Sequence, residues 1–180
     1  AGNWNTSTQT IDGAKSGHVC KDYTTQCNDT YKTSDFYILA PGTNINSVKN
    51  GGGYARMSGT SQAAPVITGG VAIVHQLWPY MKGKNIAQLL LQTANKDLSN
   101  YSITTHGQGL LDLDKATQPV GGLGISLTGR TGATTSISGG LSINGVDDSV
   151  ISSLSSVSAI DDFDRDFKVD LTSMIKQNDN

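Results

Sequence analysis

The stretch from Gln62 to Trp78 places the tightest limit on how this chain can fold. Its apolar residues Val66, Ile67, Val71, Ile73, Val74, Leu77 and Trp78 recur at helical spacing. Small residues, Ala63, Ala64, Gly69 and Gly70, fill the gaps between them. Pro65 falls in the first turn, where a missing N–H costs little, and Pro79 stops the helix. A helix that is apolar nearly all round belongs inside a domain, so burial on every side is expected. Upstream, Phe36-Tyr37-Ile38-Leu39-Ala40 reads as a short buried strand that ends in a turn at Pro41-Gly42. Asn50-Gly51-Gly52-Gly53 reads as a turn or flexible loop. Downstream, Ile86 and Leu89 to Leu91 mark a second helix over Asn85–Thr93. Gly107-Gln108-Gly109 is a tight turn into Leu110-Leu111, and Leu113 to Ala116 reads as a last helical turn. Strand, turn and helix in that order point to an α/β unit with a parallel sheet flanked by helices.

The 180 residues carry a formal net charge of −2, which argues against a phosphate-tracking surface and hence against nucleic acid as a partner. No uninterrupted apolar run reaches the ~20 residues of a membrane-spanning helix. The opening Ala1-Gly2-Asn3-Trp4-Asn5 has neither a basic start nor an apolar stretch, so no signal peptide is visible. The chain does not begin with Met, from which we expect a processed or excised piece of a longer protein. Cys20 and Cys27 lie among polar loop-type residues. They read either as a local disulfide, which implies an oxidising compartment, or as two free thiols. No paired-ligand spacing supports a metal there. Sequons begin at Asn5, Asn28 and Asn100 and matter only in a glycosylating host.

Composition changes near Pro119. From Gly121 to Ser158 the chain is rich in Gly, Ser and Thr, with Ile125, Leu127, Ile137, Leu141 and Ile143 spaced along it. Short strands, with a hairpin turn at Ser138-Gly139-Gly140-Leu141, account for those spaced residues; a flexible linker is the alternative. Ala159 to Asn180 reads as one more strand with a frayed polar end. The expected division is therefore 1–118 and 119–180, the second part a short β-rich Gly/Ser-rich extension or linker. Within it, Asp162-Phe163-Asp164-Arg165-Asp166 has the alternating acids of a calcium loop. It lacks the Gly and the closing Glu that such a loop requires, so a solvated acidic loop is the expected reading.

The feature that points to chemistry is Gly59-Thr60-Ser61-Gln62-Ala63-Ala64-Pro65. A serine at the start of a helix meets unpaired N–H groups and the positive end of the helix dipole. Negative charge that develops beside it is stabilised there. Gly59 admits a close approach of backbone or substrate. The plainer reading of Ser61 is a helix cap.

Three segments taken together resemble the subtilisin-like serine protease (subtilase) family. They are Asp35–Ile45 with its Ala40-Pro41-Gly42, Met57–Pro65 with its Gly59-Thr60-Ser61, and Gly107–Asp112. Gln62 stands where the family most often has Met, which bears on local packing and not on the serine. The resemblance covers residues 1–118 and implies the carboxyl-terminal half of a subtilisin-like catalytic domain. It implies a serine endopeptidase acting on protein or peptide substrates, with Ser61 as nucleophile. By the same resemblance Asn3 is the side-chain donor of the oxyanion hole, and the Ser61 N–H is the second donor. Ala1 and Gly2 belong to the wall of the primary specificity pocket, and Gly59 and Thr60 flank the nucleophile. The chemistry requires no cofactor; a structural calcium is compatible with the family, whose familiar tight site uses residues of the other half.

The family also needs an Asp in a D-[ST]-G motif and a His in an H-G-T-H-V-A-G motif before the serine. Neither motif occurs here. His18, His75 and His106 belong to no such motif, and His75 falls on the long helix, so all three read as structural. Two explanations stand. The triad Asp and His lie in an N-terminal half that is a partner of this chain, or the chain is a non-catalytic pseudoprotease half or a surface or scaffold binding module. The intact Gly59–Pro65 motif favours the first. Family and cysteines together imply a secreted or cell-surface location. The tail from Gly121 resembles the β-rich extensions that follow some secreted subtilases.

Overall fold

A computed structural model describes residues 2–11, 33–126, 134–136, 141–142, 152–172 and 175–176. These form two compact units, Ala1–Thr117 and Gln118–Asn180.

In the first unit, strand β1 (Gly2–Asn5) pairs with β2 (Thr10–Ile11) on one side and with β3 (Leu39–Pro41) on the other. The β1–β3 pairing is parallel and sets Asn3 opposite Ala40. Leu110 continues the sheet beyond β3 as a parallel bridge to Leu39. There the Leu39 N–H donates to the Gly109 carbonyl and the Leu111 N–H to the Leu39 carbonyl, both at 2.8 Å. Buried Trp4, Tyr37 and Leu39 make a core against which Ile11, Leu98 and Leu110 pack. Gly109 shows why that turn needs its glycine. Its φ is +118, and a Cβ there would strike the carbonyl of Asn95.

Between β3 and the long helix the chain makes a hairpin of β4 (Ile45–Val48) and β5 (Tyr54–Met57), which the sequence pattern did not announce. The Asn50–Gly53 turn joins its two strands. Helix α1 then runs over Thr60–Leu77. It is followed by α2 (Gly83–Thr93), the single turn α3 (Ile103–His106) and α4 (Leu113–Thr117).

The expected all-round burial of α1 is corrected. Only Ala63, Gly70 and Val74 are buried, a narrow stripe at helical spacing. The packed side meets β1, β3, α2 and α4. Gly70 leaves room there for the side chains of Leu113 and Leu111. No described element covers the opposite face, so Ile73 is 46% exposed, Leu77 is 53% exposed and His75 stands in solvent.

In the second unit the sheet order is β10-β9-β6-β7, with β6 at Gly124–Ser126, β7 at Thr134–Ser136, β9 at Val157–Ile160 and β10 at Asp166–Val169. Two further strands, β8 (Leu141–Ser142) and β11 (Ile175–Lys176), pair in parallel. The proposed turn at Ser138–Gly140 lies outside the described residues. The end of the chain is not a single strand. β9 and β10 form an antiparallel hairpin, with Asp166 opposite Ile160 and Val169 opposite Val157. The acidic run lies in its turn, and the solvated-loop reading needs correction at one residue of the run and at its neighbour. Asp162, Asp164 and Asp166 are exposed, but Arg165 and the adjoining Asp161 are buried. Arg165 donates to Asp161 Oδ2 from Nη2 at 2.6 Å and from Nε at 3.0 Å. Its Nη2 also reaches the Gln118 carbonyl at 2.8 Å. Asp161 accepts the Phe163 and Arg165 N–H groups at 3.0 Å and the Val120 N–H at 3.1 Å. One carboxylate and one guanidinium therefore tie the hairpin to residues 118–120, with both charges hydrogen-bonded as burial demands.

Candidate active site

Gly59 occupies the cap position of α1, with φ 154 and ψ 170. No side chain caps the helix. The cap reading of Ser61 therefore fails on geometry: Ser61 is the second residue of the helix, and it is exposed. The Gly59 carbonyl accepts the N–H groups of Gln62 at 3.0 Å and Ala63 at 3.2 Å. The N–H groups of Thr60 and Ser61 precede these, and an α-helix supplies no internal acceptor for them. Ser61 thus carries its hydroxyl and its own N–H at the positive end of an 18-residue helix.

Asn3 comes from β1, a strand in contact with α1. Its side chain is 3% exposed. Its Oδ1 accepts a hydrogen bond from Thr43 Oγ1 at 3.1 Å. Among the described residues no acceptor is bonded to its Nδ2. The amide stands close to the start of the helix. A Cβ placed on Gly42 would lie 2.5 Å from Asn3 Oδ1, 2.8 Å from the Gly59 carbonyl oxygen and 3.0 Å from Ala63 Cβ. Backbone bonds hold this corner together. The Gly42 N–H donates to the Trp4 carbonyl at 3.1 Å, and the Gly59 N–H donates to the Gly42 carbonyl at 2.8 Å.

Gly2 is buried, and a Cβ on it would run into the Tyr37 hydroxyl and Leu39. Gly59 and Thr60 are partly buried beside Ser61. Ala1, Cys20, Cys27 and His18 lie outside the described residues. His106 is buried, its Nδ1 accepting the Ser102 N–H at 3.1 Å, and its ring stands edge-on to Trp4. His75 is 14 residues beyond Ser61, roughly 21 Å along the helix axis. Neither histidine is hydrogen-bonded to Ser61 Oγ. Burial pushes the Tyr101 phenol above its ordinary value, and its hydroxyl donates to the Gly107 carbonyl at 2.9 Å in the closing turn. Among the described residues no three His, Cys, Asp or Glu side chains cluster as a metal site. No described helix is long and apolar enough to cross a membrane. Sequence reasoning missed Thr43, whose hydroxyl gives no local signal because its partner is 40 residues away.

A parallel strand pair, a glycine turn and a helix that opens on an exposed serine make up this α/β unit. The model of the subtilase family matches residues 4–111. This chain belongs to that family of serine proteases. It is 40% identical over 81 residues to a thermostable alkaline protease of Halalkalibacterium halodurans, covering 45% of this chain and 22% of that protein. It is 37% identical over 81 residues to subtilisin BL of Lederbergia lenta, covering 45% of this chain and 29% of that one. Among solved structures, fervidolysin of Fervidobacterium pennivorans, a keratinolytic enzyme related to subtilisin, matches at 35% identity. That match covers 46% of this chain and 16% of fervidolysin, with a TM-score of 0.39. The chain thus spans less than a third of the length of each of these relatives.

Proposed function

We propose that this chain supplies the nucleophile and the oxyanion hole of a subtilisin-type serine endopeptidase, and that the triad Asp and His come from a segment outside it. The observation that carries this reading is the buried amide of Asn3. Its oxygen is held by Thr43, and its NH2 group has no acceptor among the described residues, beside the helix start that bears Ser61. That NH2 group is not sealed from solvent, so it is open to donate to a bound ligand. An oxyanion formed beside Ser61 would be such a ligand.

In the reaction, Ser61 Oγ bonds to the substrate carbonyl carbon while its proton passes to the imidazole supplied from outside the chain. The carbonyl oxygen becomes an oxyanion held by Asn3 Nδ2 and the Ser61 N–H. It re-forms the double bond as the C–N bond breaks, and the leaving amine takes the proton from the imidazolium. Water then repeats the sequence on the acyl-enzyme and frees Ser61. Ala1 and Gly2 line the specificity pocket through their backbone, and Gly59 and Thr60 shape the approach to the nucleophile. The substrate is a protein or peptide, and the chemistry needs no cofactor. Any structural calcium belongs to the segment that carries the Asp and His. That segment also covers the exposed face of α1. A Cys20–Cys27 disulfide and an extracytoplasmic, secreted location complete the reading.

The test is to treat the full-length folded protein with a fluorophosphonate probe and map the label. Label on Ser61 that disappears in Ser61→Ala is the expected result. A folded protein that takes no label at Ser61 overturns the protease reading and leaves a non-catalytic scaffold.

A further inference from the structure

We infer that Thr43 is a positioning residue for the oxyanion donor, its hydroxyl holding Asn3 Oδ1 so that Nδ2 faces the reacting carbonyl. This rests on the role proposed above for Asn3. A primary amide is planar, with its oxygen and nitrogen on opposite sides of one carbon. Fixing the oxygen therefore fixes the direction of the NH2 group. Among the described residues the oxygen has one hydrogen-bond partner, Thr43 Oγ1 at 3.1 Å. Without that bond the two ends of the amide differ little in shape, and the side chain can turn over about its terminal torsion. Turned over, it would present oxygen lone pairs to a developing negative charge and oppose catalysis where it now assists. Thr43 comes from the turn after β3, two residues beyond Pro41, and Asn3 lies on the neighbouring parallel strand. The register that sets Asn3 opposite Ala40 brings the hydroxyl within reach. Thr43 touches no reacting atom in this scheme and acts only through Asn3.

The experiment measures kcat and KM of the full-length protein on a peptide anilide. Thr43→Val removes the hydroxyl at nearly constant volume. The expected result is a fall in kcat of about tenfold, the worth of one hydrogen bond, with KM within about twofold. Thr43→Ser, which restores the hydroxyl, recovers most of the lost turnover. Asn3→Ala alone lowers kcat by about 10²–10³, the range measured for the corresponding donor of subtilisin itself, and adding Thr43→Val to it costs nothing more. Should the valine variant not fold, Thr43→Ala removes the same hydroxyl and is read in the same way. Unchanged kcat in Thr43→Val, or a loss that persists undiminished in the Asn3→Ala background, overturns the positioning role while Asn3 keeps its own. An Asn3→Ala protein with full kcat overturns both readings together.

Discussion

The N–H of Gly59 donates to the carbonyl of Gly42 at 2.8 Å, and this bond fastens the start of α1 to the turn that follows β3. Gly42 in turn donates to Trp4, so strand, turn and helix cap are joined through one residue. Space at Gly42 is as tight as the bonding. A methyl group there would press on Asn3 Oδ1, the Gly59 carbonyl and Ala63 Cβ together. Two of these three neighbours belong to the helix start and cannot swing aside. Gly42→Ala should therefore destabilise the unit by about 1–3 kcal/mol, as overpacking does. It should also slow fluorophosphonate labelling of Ser61 more than the stability loss explains. Denaturant melts and labelling rates on the same preparation check both, and an alanine variant with normal stability and labelling would contradict the packing argument.

The buried pair Asp161–Arg165 makes the extension more than a linker. Both side chains are fully buried, and together they bind the hairpin turn to residues 118–120. Removing one partner strands the other charge in a dry site. Arg165→Met should cost about 3–5 kcal/mol, against about 0–1 kcal/mol for breaking an exposed pair such as Lys115–Asp97. Hydrogen exchange in the whole chain is the suitable probe, because it reads the second unit separately. Amides of β9 and β10 should lose protection in Arg165→Met while those of β1 and β3 keep theirs. Equal protection in both proteins would mean that the pair holds nothing together.

Alkaline pH should loosen the closing turn. Tyr101 has its phenol raised by burial, and it donates to the Gly107 carbonyl. A raised folded-state value means that the folded protein prefers the neutral phenol. The stabilisation is complete below about pH 10, the unfolded value, and is lost as pH rises through the higher folded value. Tyr101→Phe lacks both the donor and the titration. Its melting temperature should lie below the parent's at neutral pH and converge on it as pH rises past the phenol's folded value. A gap that stays constant across that range would show that Tyr101 does not drive the alkaline loss.

The placement of Ser61 at a helix start was legible because its signals are local. Glycine, threonine and serine before a helical apolar pattern located the exposed hydroxyl of Ser61, and Pro41-Gly42 located the turn beside it. Elements whose cause lies far away in sequence were not legible. Thr43 matters through a partner 40 residues distant, and Arg165 through a carbonyl 47 residues distant. The β4–β5 hairpin escaped notice because Ile45–Val48 and Tyr54–Met57 are short and largely exposed, so no strong alternation marks them. The burial of α1 was overstated for another reason. Apolar composition records what a helix can be covered by, not which neighbours this chain itself provides.

A segment laid over α1 would reverse the effect of polar substitutions on its open face. Ile73 and Leu77 are one helical turn apart on the open face of α1 and are about half exposed. Within residues 1–180 alone, Ile73→Gln and Leu77→Gln remove exposed apolar surface and little packing. Stability should change by less than about 0.5 kcal/mol, and solubility should improve. In the full-length protein, with the segment bearing the Asp and His laid over this face, the same substitutions bury an amide in an apolar contact. Each should then cost about 1–3 kcal/mol. Residues 1–118 produced alone should be poorly soluble, since their apolar face and sheet edge both stay open. Paired urea melts of the 180-residue chain and the full-length protein, each with and without Leu77→Gln, supply the comparison. If the substitution is as harmless in the long protein as in the short one, something other than the missing triad segment, or nothing at all, covers α1.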